Sequence, residues 1–176
     1  YFINYNFRKN NITIDLNSGN ILNLEESKKD WKVNLIQTGY STMTGGRVKK
    51  IKDLISEDNF LLTYGDGLSN INIKKLIDFH KKKGKAITVS AFKPQARFGE
   101  LEISNGNVES FKEKPQLTQG RINGGFFVIE KKFIKYIEDY SEMLEVEPIQ
   151  RAIQEKEVAA YETDEFWRCV DSKRDL

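Results

Sequence analysis

Apolar and polar positions along this chain alternate between the spacing of strands and the spacing of helices. Short apolar runs or alternations predict strands at 33–36, 60–63, 85–92, 122–130 and 158–162. Segments with helical spacing lie between most of these strands. Strands that alternate with helices are typical of βαβ units, so we predict an α/β fold with a mixed, mostly parallel central sheet and helices on both faces.

Four segments place apolar residues at helical spacing, and two of them carry signals for a helix end. The predicted apolar faces are Val48, Ile51, Leu54 and Ile55; Ile73, Leu76, Ile77 and His80; Phe133, Ile134 and Ile137; and Ile149, Ala152 and Ile153. In the second segment, Asn70 or Asn72 can cap the N-terminus, and Gly84 follows the last turn. In the fourth, Pro148 lies near the helix start, where proline is tolerated.

Two further segments predict β-hairpins. Apolar residues alternate in 10–24 around a turn at 17–19, and in 99–115 around a turn at Asn105-Gly106. Internal repeats and low-complexity linkers are not visible, and 176 residues suit one domain with a sizeable core. We therefore predict a single domain, 1–176, with a β-hairpin elaboration near its N-terminus.

Composition excludes several classes of function. Lys and Arg number 28 against 26 Asp and Glu, and this net charge of +2 gives no support for nucleic-acid binding. The chain lacks the apolar run of roughly 18 residues that a membrane span needs, so we expect no membrane partner. Its single cysteine cannot form an internal disulfide, which suits a reducing compartment, and we expect a cytoplasmic protein.

Standard catalytic machinery is largely missing from the sequence. The only histidine, His80, lies on an apolar helix face and is interpreted as a packing residue. One histidine and one cysteine exclude the classical zinc sites and Cys-His catalysis. The G-x-S-x-G, Walker and G-x-G-x-x-G motifs are also absent. Any catalysis must therefore depend on carboxylates, lysines, backbone amides and a metal ion.

Residues of those kinds follow or begin several predicted strands. They are Asp66, which lies between two glycines; Lys114; the stretch 123–125; and Asp171. Each also has a structural interpretation: Asp66 as a turn residue, Lys114 as an exposed strand end, 123–125 as a bulge, and Asp171 as a helix cap. If the fold unites Asp66 and Asp171, the two carboxylates and substrate phosphates could bind magnesium, and Lys114 could offset phosphoryl charge.

Seven short motifs occur in an order and spacing that resemble a known family. They are TMTGGR (42–47), TYGDG (63–67), FHKKKGK (79–85), RFG (97–99), FKEKP (111–115), INGGFFV (122–128) and FWRCVDSKRD (166–175). Together they resemble the glucose-1-phosphate cytidylyltransferases, bacterial sugar-nucleotide pyrophosphorylases within the sugar-phosphate nucleotidyltransferases. The resemblance implies a Rossmann-like nucleotidyltransferase fold and a magnesium-dependent reaction of CTP with glucose 1-phosphate, which gives CDP-glucose and pyrophosphate.

The same resemblance implies roles for individual residues. The metal ligands would be Asp66 and Asp171, which would act in catalysis together with Lys114. The nucleotide contacts would be Thr42, Gly45, Gly46, Arg47 and Gly65, with the glycines 45–46 in a turn. The sugar contacts would be Glu113, Asn123 and Gly124. It further implies a homo-oligomer and a place in nucleotide-sugar biosynthesis, such as that of the lipopolysaccharide O-antigen.

The chain departs from the family at its beginning. The family opens with a strand and a glycine-rich loop of the G-G-x-G-T-R kind, followed by a catalytic lysine, whereas this sequence opens with Tyr1 in YFINYNF. We therefore expect a fragment that is inactive by itself and lacks a central strand of the sheet. Two alternatives stay open: an enzyme that uses UTP or dTTP, and a catalytically dead module that binds nucleotides or forms oligomers.

Overall fold

The computed structural model describes residues 12–23, 32–93, 100–112 and 120–173, which fall into two units divided after Gln37. In the first unit, strands β1 (Ile12–Ile14) and β2 (Ile21–Asn23) pair antiparallel, and Ile14 lies opposite Ile21. The carboxylate of Asp15 accepts a 2.8 Å hydrogen bond from the backbone N–H of Asn17 and orders the turn. The predicted N-terminal hairpin is therefore confirmed.

The second unit contains most of the regular structure. Its strands are β3 (Asn59–Thr63), β4 (Gly67–Ser69), β5 (Ile87–Phe92), β6 (Glu100–Ser104), β7 (Asn107–Lys112), β8 (Ile122–Glu130), β9 (Val158–Thr163) and β10 (Trp167–Cys169). Its α-helices are α1 (Thr44–Lys50), α2 (Ile73–Lys83) and α3 (Glu147–Gln154), and two short 3₁₀-helices span Lys52–Leu54 and Lys131–Tyr136. None of the helices in the described residues is long and apolar enough to cross a membrane.

The central sheet has four strands in the order β3-β8-β5-β9. Strands β5 and β9 are parallel, and β8 runs antiparallel to both of its neighbours. Three of the four strands therefore point the same way, and the start of β8 lies at the edge where β3, β5 and β9 end. The predicted mixed sheet is confirmed, and this edge is where ligands of open α/β folds bind.

Side chains of β8 alternate between two apolar layers, one on each face of the sheet. Phe127 and Ile129 pack with residues of α1 and α3, whereas Val128 packs with Leu76 of α2. The predicted helices on both faces are confirmed. Because β8 is covered on both sides, it is held firmly enough to position the polar residues at its start.

Helix ends follow the sequence signals closely for α2. The side chain of Asn72 accepts a 3.0 Å hydrogen bond from the N–H of Lys75, and Gly84 adopts a left-handed φ of 59° at the C-terminus.

The segment after Thr44 is shorter than its apolar pattern predicts, since it breaks into α1 and a 3₁₀-helix. The segment after Glu130 forms a 3₁₀-helix that ends at Tyr136, again shorter than predicted.

One predicted strand is wrong. Residues 33–36 adopt neither strand nor helix, and the side chains of Val33, Leu35 and Ile36 are exposed. A strand needs a hydrogen-bonded neighbour, and none of the described strands pairs with this segment. A local apolar pattern could not reveal that missing neighbour.

A two-stranded antiparallel sheet of β4 and β10 was not predicted from the sequence. Gly67 pairs with Cys169, and Ser69 pairs with Trp167. The backbone N–H of Val170 also donates a 2.8 Å hydrogen bond to the carbonyl of Asp66. This pairing places the residue before β4 beside the residues after β10.

Candidate active site

The small β4–β10 sheet brings together two carboxylates that are far apart in sequence. Asp66 immediately precedes β4, and Asp171 follows β10 by two residues. Ligand atoms of Asp66, Cys169 and Asp171 all lie within 4.8 Å of one another. Both carboxylates are exposed, so a ligand can reach them. The sequence alone left open whether these two residues meet, and the strand pairing answers that they do.

Cys169 lies between the carboxylates and acts as a hydrogen-bond donor. Its thiol lies 3.1 Å from a carboxylate oxygen of Asp171. This hydrogen bond, with a contribution from burial and from the charges of both aspartates, raises the pKa of the thiol to about 11. The thiol therefore stays protonated at neutral pH, and the anionic donors of the cluster are the two carboxylates.

The charge of this cluster is not compensated within the described part of the chain. Among the ion pairs between described residues, none includes Asp66 or Asp171. The oxygens of two carboxylates held this close are suitable ligands for one cation. The geometry therefore favours binding of a cation.

Asn123 and Gly124 begin β8 at the same edge of the sheet. The indole N–H of Trp167 in β10 donates a 2.7 Å hydrogen bond to the carbonyl of Gly124, which fastens the small sheet to the start of β8. Asn123 is exposed at this junction. The sugar contacts that the resemblance implies at 123–124 thus lie next to the strand that carries Cys169.

Gly124 also has a packing role. A methyl group at Gly124 would lie 2.1 Å from the ring of Phe92, so the core itself requires glycine there. The pairing of β5 and β8 shifts register between Val89 and Ala91, opposite this stretch. The structural interpretation of 123–125 as a bulge is therefore supported, and a sugar contact at Gly124 stays a prediction.

Gly65 differs from Gly124, because nothing in the described structure fills the space that a side chain would occupy. A methyl group at Gly65 would have no atom within 4 Å, and the residue does not need a left-handed backbone. Packing therefore gives no reason for glycine at this position. The open space beside Asp66 is compatible with close approach of a nucleotide to the backbone.

The segment 42–47 leads into α1, which begins at Thr44, and does not form a glycine turn. Gly45 and Gly46 lie within the helix, which corrects the predicted turn. Their lack of side chains lets α1 pack closely on 140–144, since a methyl group at Gly46 would lie 2.1 Å from the carbonyl oxygen of Tyr140. The N–H of Gly45 donates a 3.1 Å hydrogen bond to the carbonyl of Glu142.

Thr42 and Arg47 are held by hydrogen bonds near this helix. The Thr42 hydroxyl is buried and donates a 2.6 Å hydrogen bond to the carbonyl of Thr38. The exposed guanidinium of Arg47 donates to the side chain of Thr38 and, at 3.5 Å, to the carbonyl of Tyr40. Arg47 is thus oriented and accessible to an anion, whereas Thr42 can contact a nucleotide only if its surroundings open.

Tyr64 and Glu145 connect the start of α1 with the start of β8, and sequence analysis gave neither a role. The Tyr64 hydroxyl donates to one carboxylate oxygen of Glu145, and the other oxygen accepts a 2.9 Å hydrogen bond from Thr44. The carboxamide of Asn123 donates to the Tyr64 hydroxyl at 3.2 Å. Tyr64 lies within the TYGDG motif, but Glu145 stands in an acidic stretch with no distinguishing pattern.

Comparisons with known proteins identify the family of this chain. The nucleotidyl transferase family model matches residues 4–176. Glucose-1-phosphate cytidylyltransferases of Salmonella typhi and Salmonella typhimurium (strain LT2) are each 40% identical over 176 residues, which cover 99% of this chain and 68% of the relative. The chain belongs to the nucleotidyl transferase family. The resemblance drawn from the seven motifs is therefore confirmed. The family is one of enzymes, as predicted.

The fold of this nucleotidyl transferase has counterparts among solved structures. The crystal structure of HddC from Yersinia pseudotuberculosis superposes with a TM-score of 0.60 at 23% sequence identity. The match covers 84% of this chain and 65% of that chain. At this identity the likeness shows the fold alone, and it confirms the predicted α/β nucleotidyltransferase architecture.

Two predicted site residues of this nucleotidyl transferase fall outside the described residues. They are Glu113, the implied sugar contact, and Lys114, the implied phosphate-neutralising lysine. Both follow β7 directly in sequence. Their roles stay predictions, as does the prediction of a single domain.

Proposed function

We propose that this protein transfers a cytidylyl group from CTP to glucose 1-phosphate, giving CDP-glucose and pyrophosphate. The observation that carries the proposal is the pairing of β4 with β10, which sets Asp66 and Asp171 side by side at the ligand-binding edge of the sheet. The choice of CTP and glucose 1-phosphate follows the names of the 40%-identical relatives. The seven ordered motifs support the same choice.

The donor set of the carboxylate pair suits magnesium. Mg²⁺ binds oxygen ligands and commonly uses one or two carboxylates together with substrate phosphates. Asp66 and Asp171 supply such oxygens, and the protonated thiol of Cys169 leaves them as the anionic donors. When bound, the metal ion would neutralise negative charge on the triphosphate and on the departing pyrophosphate.

In the proposed reaction, a phosphate oxygen of glucose 1-phosphate forms a bond to the α-phosphorus of CTP. The bond between the α-phosphorus and the bridging oxygen of the β-phosphate breaks, and pyrophosphate leaves with that electron pair. No protein nucleophile is needed, since positioning and electrostatics carry most phosphoryl transfers. Lys114 would stabilise the charge that develops on the transferred group.

The other residues would bind and orient the two substrates. Arg47 is exposed and offers a guanidinium to nucleotide phosphates. The open space at Gly65 would admit the nucleotide beside Asp66. Glu113 and Asn123 would contact the sugar. Holding both substrates in line for attack supplies a large share of the rate enhancement in reactions of this kind.

The proposal is tested by incubating the protein with magnesium, glucose 1-phosphate and each of CTP, UTP and dTTP, and by separating the products chromatographically. CDP-glucose and pyrophosphate formed from CTP, with much less product from the other nucleotides, would support the proposal and would overturn the expectation that the chain is inactive by itself. Binding of the same nucleotides is measured in parallel by calorimetry. Preference for UTP or dTTP would overturn the choice of base, and failure to bind any nucleotide would favour a module without this activity.

Assembly and location are further parts of the proposal. The family resemblance supports a homo-oligomer, and together with the single cysteine it supports a cytoplasmic site of action. Light scattering on the purified protein tests the first point. A mass equal to one chain of 20.4 kDa would contradict it.

A further inference from the structure

A chain of hydrogen bonds leads from the start of α1 to the exposed carboxamide of Asn123. The backbone N–H of Leu144 donates to the Thr44 hydroxyl at 2.9 Å, and that hydroxyl donates to Glu145 at 2.9 Å. The other carboxylate oxygen of Glu145 accepts a hydrogen bond from the Tyr64 hydroxyl, and the Tyr64 oxygen accepts a 3.2 Å hydrogen bond from the Asn123 carboxamide nitrogen. Both oxygens of the Glu145 carboxylate are therefore in use, and its orientation is fixed.

These bonds determine which way the Asn123 carboxamide faces. Its oxygen accepts a 2.9 Å hydrogen bond from the backbone N–H of Gly125, so its nitrogen must be the atom that donates to Tyr64. A carboxamide nitrogen carries two hydrogens, and Tyr64 takes one of them. The second hydrogen belongs to an exposed side chain at the start of β8, where it can donate to a ligand oxygen.

Tyr64 itself is held in place by packing. Its ring makes an edge contact with Phe127, with the ring centroids 5.6 Å apart, and it covers Gly125. Gly125 has a φ of +75°, and a methyl group there would lie 2.5 Å from the Tyr64 ring. The hydroxyl stays protonated because burial, and then the hydrogen bond to Glu145, raise the pKa of Tyr64. Tyr64 therefore serves as donor to Glu145 and acceptor for Asn123 at once.

We propose that Tyr64 and Glu145 are positioning residues that hold the Asn123 carboxamide ready to donate a hydrogen bond to a hydroxyl oxygen of the sugar. The inference deepens the proposed function and rests on it for the identity of the ligand. Thr44 anchors Glu145 from the side of α1, so the start of α1 and the sugar side of the site share one network. Neither Tyr64 nor Glu145 needs to touch a substrate for this role.

The test compares the affinity of the protein for CDP-glucose with its affinity for CDP in magnesium, since the ratio isolates the contribution of the sugar. Tyr64→Phe keeps the ring and removes only the hydroxyl. We expect the ratio to fall about tenfold, because one positioned hydrogen bond is lost, while the Kd for CDP changes by less than about twofold. Glu145→Ala should match this loss, and Glu145→Gln, which keeps an acceptor oxygen, should restore much of it.

Tyr136→Phe is the matched control. The Tyr136 hydroxyl donates a 2.6 Å hydrogen bond to Glu155, so this variant removes the same kind of tyrosine-carboxylate bond from another network. We expect its CDP-glucose to CDP ratio to equal that of the wild type. If Tyr64→Phe lowered the affinity for both ligands equally, or left the ratio of the two affinities unchanged, the inference would be overturned. If Tyr64→Phe fails to fold, the Glu145→Ala and Glu145→Gln pair decides.

The free protein provides a readout that does not depend on the proposed function. In ¹⁵N-labelled protein, the side-chain amide signals of Asn123 should shift in Tyr64→Phe and in Glu145→Ala and stay unchanged in Tyr136→Phe. Unchanged Asn123 signals in all variants would overturn the positioning role. Wild-type protein that binds neither CDP nor CDP-glucose would overturn the proposed function, and the Asn123 signals would still decide whether the network positions that side chain.

Discussion

In the second unit, the buried carboxylate of Glu142 and the exposed carboxylates of Asp66 and Asp171 differ in their hydrogen-bond and ion-pair partners. Glu142 is buried and accepts hydrogen bonds from the two terminal nitrogens of the Arg151 guanidinium, at 2.6 and 3.0 Å, and from the backbone N–H of Glu138 at 3.0 Å. Asp66 and Asp171 are exposed and have the Cys169 thiol between them. Glu142 is neutralised by Arg151, whereas none of the ion pairs between described residues includes Asp66 or Asp171.

We interpret the difference as one between a structural carboxylate and the two carboxylates that we propose as metal ligands. A carboxylate whose lone pairs are filled by fixed donors stabilises the fold but can do no further chemistry. The exposed carboxylates of Asp66 and Asp171 have acceptor oxygens that a bound metal ion could use. Substitutions at the two places should therefore have opposite effects on stability and on ligand binding.

The largest expected effect is on activity, at the exposed pair. Asp66→Asn and Asp171→Asn should each lower kcat/KM by about 100-fold or more, because each removes a carboxylate that we propose as a ligand for the metal ion. The free energy of unfolding should change by less than about 0.5 kcal/mol, since both side chains are exposed. Steady-state kinetics and urea unfolding measure the two quantities. Strong destabilisation with full activity would reverse the comparison.

A pair of glycines sharpens the comparison within the site itself. Gly124→Ala should lower the free energy of unfolding by about 2 kcal/mol, since its methyl group would lie 2.1 Å from the Phe92 ring. Gly65→Ala should change it by less than about 0.5 kcal/mol, since no atom of the described residues lies within 4 Å of the added methyl group, but it should weaken CTP binding. Urea unfolding and calorimetry on both variants check this. Equal stability of the two variants would contradict the packing role of Gly124.

The buried carboxylate should show the reverse of the aspartate pattern. Glu142→Gln should lower the free energy of unfolding by about 2 kcal/mol and leave CTP affinity unchanged, because charge-assisted hydrogen bonds are lost far from any ligand role. The Arg151 guanidinium lowers the pKa of Glu142. Its contribution to stability is therefore complete above the unfolded pKa of 4.5 and is lost as the pH falls below it. Urea unfolding as a function of pH should show a shallower acid loss in Glu142→Gln.

The smallest expected effect concerns His80, the only histidine in the chain. Its ring nitrogens lie 2.8 Å from the Thr88 hydroxyl and 3.1 Å from the Asn59 side chain, and burial lowers the pKa of the imidazole. A lowered pKa means that the neutral ring stabilises the fold above pH 6.5 and that stability declines as the pH falls below that value. Unfolding measured between pH about 7.5 and about 5.5 should show this slope. In His80→Leu the slope should vanish, and an unchanged slope would contradict the assignment.

Much of the fold could be predicted from local sequence patterns. Helix α2 has a capping asparagine, an apolar face and a terminal glycine, and the structure contains each of them. The Asn105-Gly106 turn was predicted equally well, because asparagine and glycine adopt the positive φ values of 49° and 79° that the tight turn requires. These features depend on interactions within a few residues, which a pattern can report.

Features that depend on distant pairing could not be predicted. Strands β4 and β10 contain only three residues each, too few for a periodic signal, yet their pairing creates the Asp66–Asp171 site. Glu145 gains its role only because the fold places Tyr64 beside it. The rejected strand at 33–36 is the converse case, where a strand-like pattern finds no neighbour among the described strands. The motif resemblance implied that the two aspartates act together, and the structure places them close to each other; the resemblance implied nothing about Glu145.

The central claim is that Asp66 and Asp171 together bind the metal ion that accompanies the nucleotide. It is tested most directly by calorimetric titration of CTP with and without magnesium into the wild type, Asp66→Asn, Asp171→Asn and Asp78→Asn, an exposed control on α2. We predict that magnesium increases CTP affinity about tenfold or more in the wild type and the control, and that this increase is absent in both site variants. An equal increase in all four proteins would show that the metal ion is bound without these carboxylates and would contradict the claim.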